Sequence, residues 1–317
     1  MKVLVIGGTG HVGTYMVPGL IEAGFDVTSL SRGKRKPYQQ HKAWDTVHQV
    51  AIDRETEEKS NSFAERVLGF EPDVVIDMIC FTLDSAQKLY EPLKGKIRQF
   101  LFCGTIWVHG YSQEVPTTED QPKRPFGEYG IQKAAITEYL LSQSENEGTA
   151  VTVLHPGHIV GPGWCPVNPL GNLNTEVFVK LAHGKELVMP NFGLETLHHV
   201  HAEDVAQAFI KAVLSPEKAN GQEFHIVSEK ALTLRGYADK LAQWFGKEAN
   251  LSFKPFQEWK MQVGDADALA TYDHIAHSPN CSIDKAKRLL RYKPKYSSIE
   301  AICESLKWLI DSGQIVI

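Results

Sequence analysis

The chain has 317 residues, 43% hydrophobic and 22% charged, as in an ordinary globular protein large enough for one two-lobed domain or two moderate ones. A formal net charge of −5 and a pI near 6.2 give no general attraction for nucleic acid or an anionic membrane. Five cysteines without CxxC spacing argue against a disulfide or zinc framework and for a reducing, cytoplasmic setting.

In chain order, residues 2–6 (KVLVI) are an apolar run ending in glycine, the pattern of a parallel strand buried on both faces. The run is too short for a secretory leader, and no apolar stretch is long enough to span a membrane, so a soluble protein is expected. Val12, Met16, Leu20 and Ile21 then fall at helical spacing within 11–23. Further strands are expected at 26–30, 46–52, 73–78, 99–103 and 151–155, with helices at 61–68, 83–92 and 128–146. This alternation predicts an α/β fold with a doubly wound parallel sheet, spanning 1–160. After residue 155 the texture turns rich in Gly, Pro and Asn. A helix at 174–183 follows, and a helix at 202–214 with a strand at 222–227 reads as a return to the sheet. Residues 161–195 with 228–317 are expected to form a smaller, mostly helical substrate lobe, its clearest helices at 284–290 and 298–310.

Residues 7–13 read Gly-Gly-Thr-Gly-His-Val-Gly between the first strand and the first helix. Gly7, Gly10 and Gly13, with the backbone at His11 and Val12, suit a tight turn that lets a helix N-terminus approach a dinucleotide pyrophosphate. The second strand ends in Ser31-Arg32-Gly33, without the carboxylate that would bond an NAD ribose. Arg32 can engage a 2′-phosphate, so NADP is favoured over NAD. Asp53, after the third strand, is a candidate partner for the adenine or, equally, a helix cap.

Tyr129 and Lys133 are four apart on one predicted helix face. A tyrosine of pKa about 10 must drop by about three units, or roughly 4 kcal/mol, to act as acid and base at neutral pH. One ammonium at about 4 Å supplies an interaction of that order at an effective dielectric near 20. Thr105, just beyond the fifth strand, lies at the sheet's carboxyl edge, where a third group should orient the substrate oxygen.

These residues together resemble the extended short-chain dehydrogenase/reductase family, in its NAD-dependent epimerase/dehydratase branch. The carrying motifs are GGTGHVG (7–13), TIWVHG (105–110), YGIQK (129–133), HPGHIVGPG (155–163), HHVHAEDVAQAF (198–209) and SIDKAKRLLRYKPKYS (282–297). The resemblance implies a Rossmann fold, Tyr129 as acid/base, Lys133 also on the nicotinamide ribose, and Thr105 on the reacting oxygen. It implies that His155 and Pro156 begin a loop over the nicotinamide, and that a homodimer forms. Where dehydratases of the family carry an Asp-Glu pair, Ile106 and Trp107 follow Thr105, so dehydration is not expected. Leu197 stands where sugar-nucleotide epimerases place a phosphate-holding arginine, and Tyr272–Ser278 holds none. Without such clamps a diphosphate is poorly held, which points to a free sugar, sugar acid or polyol.

Asn168, Asn172, Asn174 and Trp164 are candidates to meet a polyhydroxylated ligand, the asparagines being turn formers otherwise. Trp107 and His199 are further substrate-binding candidates. The histidines at 155, 158, 198, 199 and 201 complete no metal set, and no metal is expected. Two readings follow. One is an NAD(P)-dependent sugar epimerase or oxidoreductase acting on a small molecule. The other is a non-catalytic dinucleotide-sensing or RNA-binding protein of the same fold, similar to the chloroplast stem-loop-binding branch. The acidic balance and the intact Thr105–Tyr129–Lys133 set disfavour the second.

Overall fold

The structure, a computed structural model, describes residues 1–144 and 148–317. The first half of the chain lays down β1 (Lys2–Ile6), β2 (Asp26–Ser31), β3 (His48–Ala51), β4 (Val74–Asp77), β5 (Gln99–Cys103) and β6 (Ala150–Pro156). Four short strands follow, β7 (His158–Val160), β8 (Leu187–Pro190), β9 (Thr196–Leu197) and β10 (His199–His201), before β11 (Gln222–Ile226) rejoins the main sheet. The seven-stranded sheet runs β11-β6-β5-β4-β1-β2-β3, parallel throughout. Every residue of β4 and β5 is buried, which is why VVID and QFLFC carry almost no alternation. Chain direction across the sheet reverses between β1 and β4, so a crevice opens at their carboxyl ends.

Helices cover both faces. On one, α1 (His11–Glu22) packs against a later helix, Ala202–Leu214, through Val17, Leu20, Phe209 and Val213. Gly19 allows that contact, because a Cβ there would meet Ile210 Cδ1 at 2.5 Å. On the other face lie α2 (Arg54–Lys59), α3 (Phe63–Leu68), α4 (Leu83–Leu93) and α5 (Gly127–Ser142), which bury Val67, Leu89, Tyr90, Ile136 and Leu140. A third apolar cluster stands apart from the sheet and gathers Phe178, Leu181, Tyr237, Leu241, Trp259, Ile302 and Leu306. There the Trp259 indole N–H donates to the Val188 carbonyl at 2.8 Å, so the buried ring leaves no unpaired donor.

The structure corrects several expected bounds. The third strand shortens to β3, preceded by a 3-10 turn at Lys42–Asp45. A helix not anticipated from the sequence, α2, precedes α3. The 128–146 helix ends at Ser142, and its last two expected residues lie outside the described residues. The 161–317 region is less purely helical than its composition suggested. There β8 pairs in parallel with β13 (Leu251–Lys254), and β9 pairs antiparallel with β12 (Leu232–Thr233). Strands of two to four residues are too short to show a period, and their partners lie far along the chain. No helix among the described residues is long and apolar enough to cross a membrane.

Candidate active site

β1 delivers the chain into the crevice and the glycines shape its turn. Gly7 has φ +90°, donates its N–H to Leu30 O at 2.8 Å and accepts from the Gly10 N–H at 3.0 Å. A Cβ on Gly13 would sit 2.0 Å from Gly8 O, and one on Gly7 2.9 Å from Ile79 Cγ2. Only hydrogen fits at either position. Helix α1 begins at His11 with no side-chain cap, so the N–H groups of His11, Val12 and Gly13 have no intrahelical acceptor. A backbone cradle at the positive end of a helix fits a pyrophosphate.

The flanking candidates divide. Val12 is buried in the core, so only its backbone is available. The His11 ring donates from Nε2 to Gly163 O at 2.9 Å, stacks on Tyr38 at 4.1 Å and meets Trp164 at 3.9 Å. Burial pushes its pKa down to about 4, so it is neutral. Trp164 is thereby placed against the glycine turn; it is not among the residues lining the cleft beside Tyr129. Arg32 stands exposed at the end of β2. Asp53 accepts the Thr56 N–H at 3.2 Å and caps α2, the second of its two expected roles.

A cleft of about 160 Å³ at the carboxyl ends of β5 and β6 is lined by Thr105, Ile106, Trp107, Tyr129, Gly157 and His158. The Thr105 and Tyr129 side chains line this cleft together, and the Thr105 hydroxyl favours the ionised form of the phenol. Thr105 also accepts the Trp107 N–H at Oγ1 (3.3 Å), which leaves its own hydroxyl hydrogen to donate. Tyr129 sits in the first turn of α5, which approaches closely because Gly130 lies over the Trp107 carbonyl. Lys133, one turn on, is only 2% exposed, and its ammonium donates to Cys103 O at 2.7 Å. That ammonium is 5.8 Å from the Tyr129 ring centre and nearer to the Phe102 and Phe81 rings, at 4.6 and 4.9 Å.

This geometry corrects the energetic expectation. Lys133 does not bring the tyrosine down: burial pushes the Tyr129 phenol up to about 12, only partly offset by Thr105. Burial likewise lowers the Lys133 pKa. Desolvation of the phenolate outweighs the favourable groups around it, and the Lys133 ammonium is itself held by a backbone carbonyl.

Three other expectations change. His155 is wholly buried beneath the site, with Nδ1 accepting the Thr105 N–H at 3.0 Å and Nε2 facing Glu223 Oε2 at 2.9 Å. Its ring is therefore committed to partners within the protein, which leaves only the backbone that follows it to begin a loop at the cleft. Asn168, Asn172 and Asn174 bond one another and Thr271 and Asp267, so they act as turn formers. Their side chains satisfy backbone groups of the Gly/Pro-rich loop, which would otherwise be buried without partners. His199 is fully buried, donates to Val167 O at 3.2 Å, and lies behind His158, with ring centres 5.4 Å apart.

His158 is the lining residue that sequence reasoning passed over. Neither ring nitrogen makes a well-formed hydrogen bond, and burial with nearby His274 and His199 holds its pKa well below the ordinary value. Trp107 also lines the cleft, its ring stacked on His277 at 4.1 Å. The HxxH pattern at 155–158 could have signalled His158, but nothing in the sequence shows which of the two faces the cleft. Among the described residues, no group of three His, Cys, Asp or Glu side chains could hold a metal ion.

A parallel sheet of this order, with a glycine cradle at its reversal and a Tyr–Lys–Thr set beside it, defines a Rossmann-type dinucleotide-binding protein. The chain belongs to the NAD dependent epimerase/dehydratase family, whose profile matches residues 3–227. It is 26% identical to the chloroplast stem-loop binding protein of 41 kDa b of Arabidopsis thaliana, over 96% of this chain and 78% of that one. It is also 26% identical to the 2'-dehydrokanamycin reductase of Streptomyces kanamyceticus, over 99% of this chain and 86% of that one. The UDP-glucose 4-epimerase structure from Thermotoga maritima shares the fold with a TM-score of 0.73 at 21% identity, covering 98% of this chain and 99% of that one.

Proposed function

We propose that the protein is an NAD(P)-dependent sugar epimerase or oxidoreductase in which Tyr129 exchanges a proton with a substrate hydroxyl or carbonyl oxygen. The carrying observation is that Thr105 and Tyr129 line one cleft, with Lys133 buried one helical turn from Tyr129 and the glycine cradle at the same edge of the sheet. A bound nicotinamide supplies hydride exchange, and in its oxidised form a positive charge. Thr105 donates its hydroxyl hydrogen toward the reacting oxygen, and Tyr129 takes or returns that oxygen's proton. Lys133, anchored on Cys103 O one helical turn from Tyr129, would also hold the cofactor ribose. Trp107 and His158 wall the cleft.

Arg32, exposed with Lys34, Arg35 and Lys36 close behind it, supports NADP over NAD. Relatives include enzymes named as UDP-glucose 4-epimerases and one named as a 2'-dehydrokanamycin reductase. The cleft-lining residues carry no arginine, and Leu197 is core, which supports a substrate without a diphosphate. Ile106 and Trp107 after Thr105 leave no acid–base pair there for dehydration. The part of the chain bearing the third apolar cluster, 161–195 with 228–317, would serve as the substrate lobe.

The test is to denature freshly purified protein and identify any released nucleotide by mass. Tightly retained NAD supports internal redox recycling, as in an epimerase. An empty site that binds NADPH more tightly than NADH supports an exchanging reductase or dehydrogenase, whereas failure to bind any dinucleotide defeats the proposal. The name of the Arabidopsis relative favours one second reading, RNA binding. It predicts a salt-dependent mobility shift of a stem-loop RNA, and absence of a shift removes it.

A further inference from the structure

Behind the cleft lies a line of buried and part-buried polar groups, Lys123, Glu223 and His155, that the proton chemistry above leaves unused. The Lys123 ammonium donates to Glu223 Oε1 at 2.5 Å, and Glu223 Oε2 faces His155 Nε2 at 2.9 Å. His155 Nδ1 receives the Thr105 N–H at 3.0 Å, and the Thr105 side chain shares the cleft with Tyr129, favouring its ionised form. Because Nδ1 is an acceptor, Nε2 carries the proton and donates it to Glu223, so the tautomer is set at both ends. Gly104 makes this approach possible: a Cβ there would lie 2.4 Å from His155 Nδ1.

We infer that Lys123, Glu223 and His155 act as a positioning relay that holds Thr105, and through it the oxygen of Tyr129, in register for proton transfer. The inference rests on reading Thr105 and Tyr129 as the acid–base pair. Thr105 begins a 3-10 turn immediately after β5, a place where the backbone has left the sheet ladder. Its N–H finds an acceptor only in a side chain from β6, and that side chain is braced by β11. A protonated His155 could not accept, so the relay works with a neutral ring and an anionic Glu223. Burial lowers the His155 pKa, with Glu223 opposing. Burial raises that of Glu223, but His155 and Lys123 outweigh it and hold Glu223 at about 2. The other titratable groups around the ring are His225 on β11, His109 in the 3-10 turn, Glu119, which receives the His225 N–H, and Lys285 near Glu119 and Glu223.

The test uses the full chain loaded with NAD and needs no substrate. Ionisation of the Tyr129 phenol is followed by ultraviolet titration, isolated as the difference from Tyr129→Phe. His155→Leu removes the acceptor for Thr105 and should raise the phenol's apparent pKa by about one to two units, the size of one hydrogen bond to a charged group. His155→Asn places an amide oxygen near the position of Nδ1 and should recover most of that shift. Equal titration of the Leu and Asn variants, or of both with the wild type, overturns the relay. Where His155→Leu fails to fold, nitrogen-15 NMR of wild-type His155 decides: an unprotonated Nδ1 supports the relay and a protonated one overturns it. Failure of the parent reading looks different, since a wild-type phenol left above its ordinary pKa with NAD bound defeats Tyr129 as the base whatever His155 does.

Discussion

With its phenol pushed up to about 12 by burial, Tyr129 needs an added positive charge to give up a proton near neutral pH. On the proposed reading, an oxidised nicotinamide at the cleft would have the right sign and would couple cofactor binding to activation of the base. Tyr129→Phe should lower turnover by about 10²- to 10⁴-fold, the range of general acid–base catalysis, with dinucleotide affinity nearly unchanged in a fluorescence titration. Retention of most of the rate would remove Tyr129 from the chemistry. On the proposed reading, Lys133→Ala should harm both rate and affinity, because it removes the buried ammonium that would face the cofactor. Arg32→Ala should weaken NADPH by roughly tenfold or more while NADH changes little, because a charge-assisted bond to phosphate is worth about 1.5–3 kcal/mol; equal losses for both cofactors would count against a 2′-phosphate contact. The four-residue spacing of Tyr129 and Lys133 was visible in the chain because helical geometry is local. The direction of the Tyr129 shift was not, because it depends on burial and on Lys133 turning to Cys103 O.

At the scale of elements, the β1–α1 turn follows directly from GGTGHVG. Glycine is required where backbone crosses backbone, and the sequence displays each crossing as a glycine. Gly13→Ala sets a methyl 2.0 Å from the Gly8 carbonyl, and no flexible side chain can yield there. It should cost about 1–3 kcal/mol of stability, read as a lower Tm, and weaken dinucleotide binding by prying the turn open. An unchanged Tm and affinity would show that the turn relaxes freely. The loop at 155–174 reads differently. Its asparagines have the composition of either a ligand site or a set of turns, and only their bonds to Thr271 and Asp267 make them turns. Those partners lie more than 90 residues downstream, out of reach of any local pattern.

For the whole molecule, a run of histidines is buried neutral: burial brings His11, His109, His198 and His201 down to about 4 and His199 to about 3. The unfolded chain takes up these protons near pH 6.5 and the folded one does not. Stability conferred by the neutral rings is therefore complete above about pH 6.5 and is lost as the pH falls toward 4. The slope is about 1.4 kcal/mol per pH unit for each histidine protonated only on unfolding. Tm measured between pH 7.5 and 4.5 should fall steeply below 6.5, and a flat profile would mean that the rings are open to water. The sequence by itself determined the strand–helix alternation, the glycine cradle and the Tyr129–Lys133 spacing, since periodicity, turn chemistry and helical register act over a few residues. Tertiary structure alone decided that β11 lies against β6, that His155 turns inward to Glu223 across 68 residues, and that His158 faces the cleft while His199 backs it. Those outcomes depend on which buried polar groups find partners once distant strands pair, and that matching exists only in the assembled core.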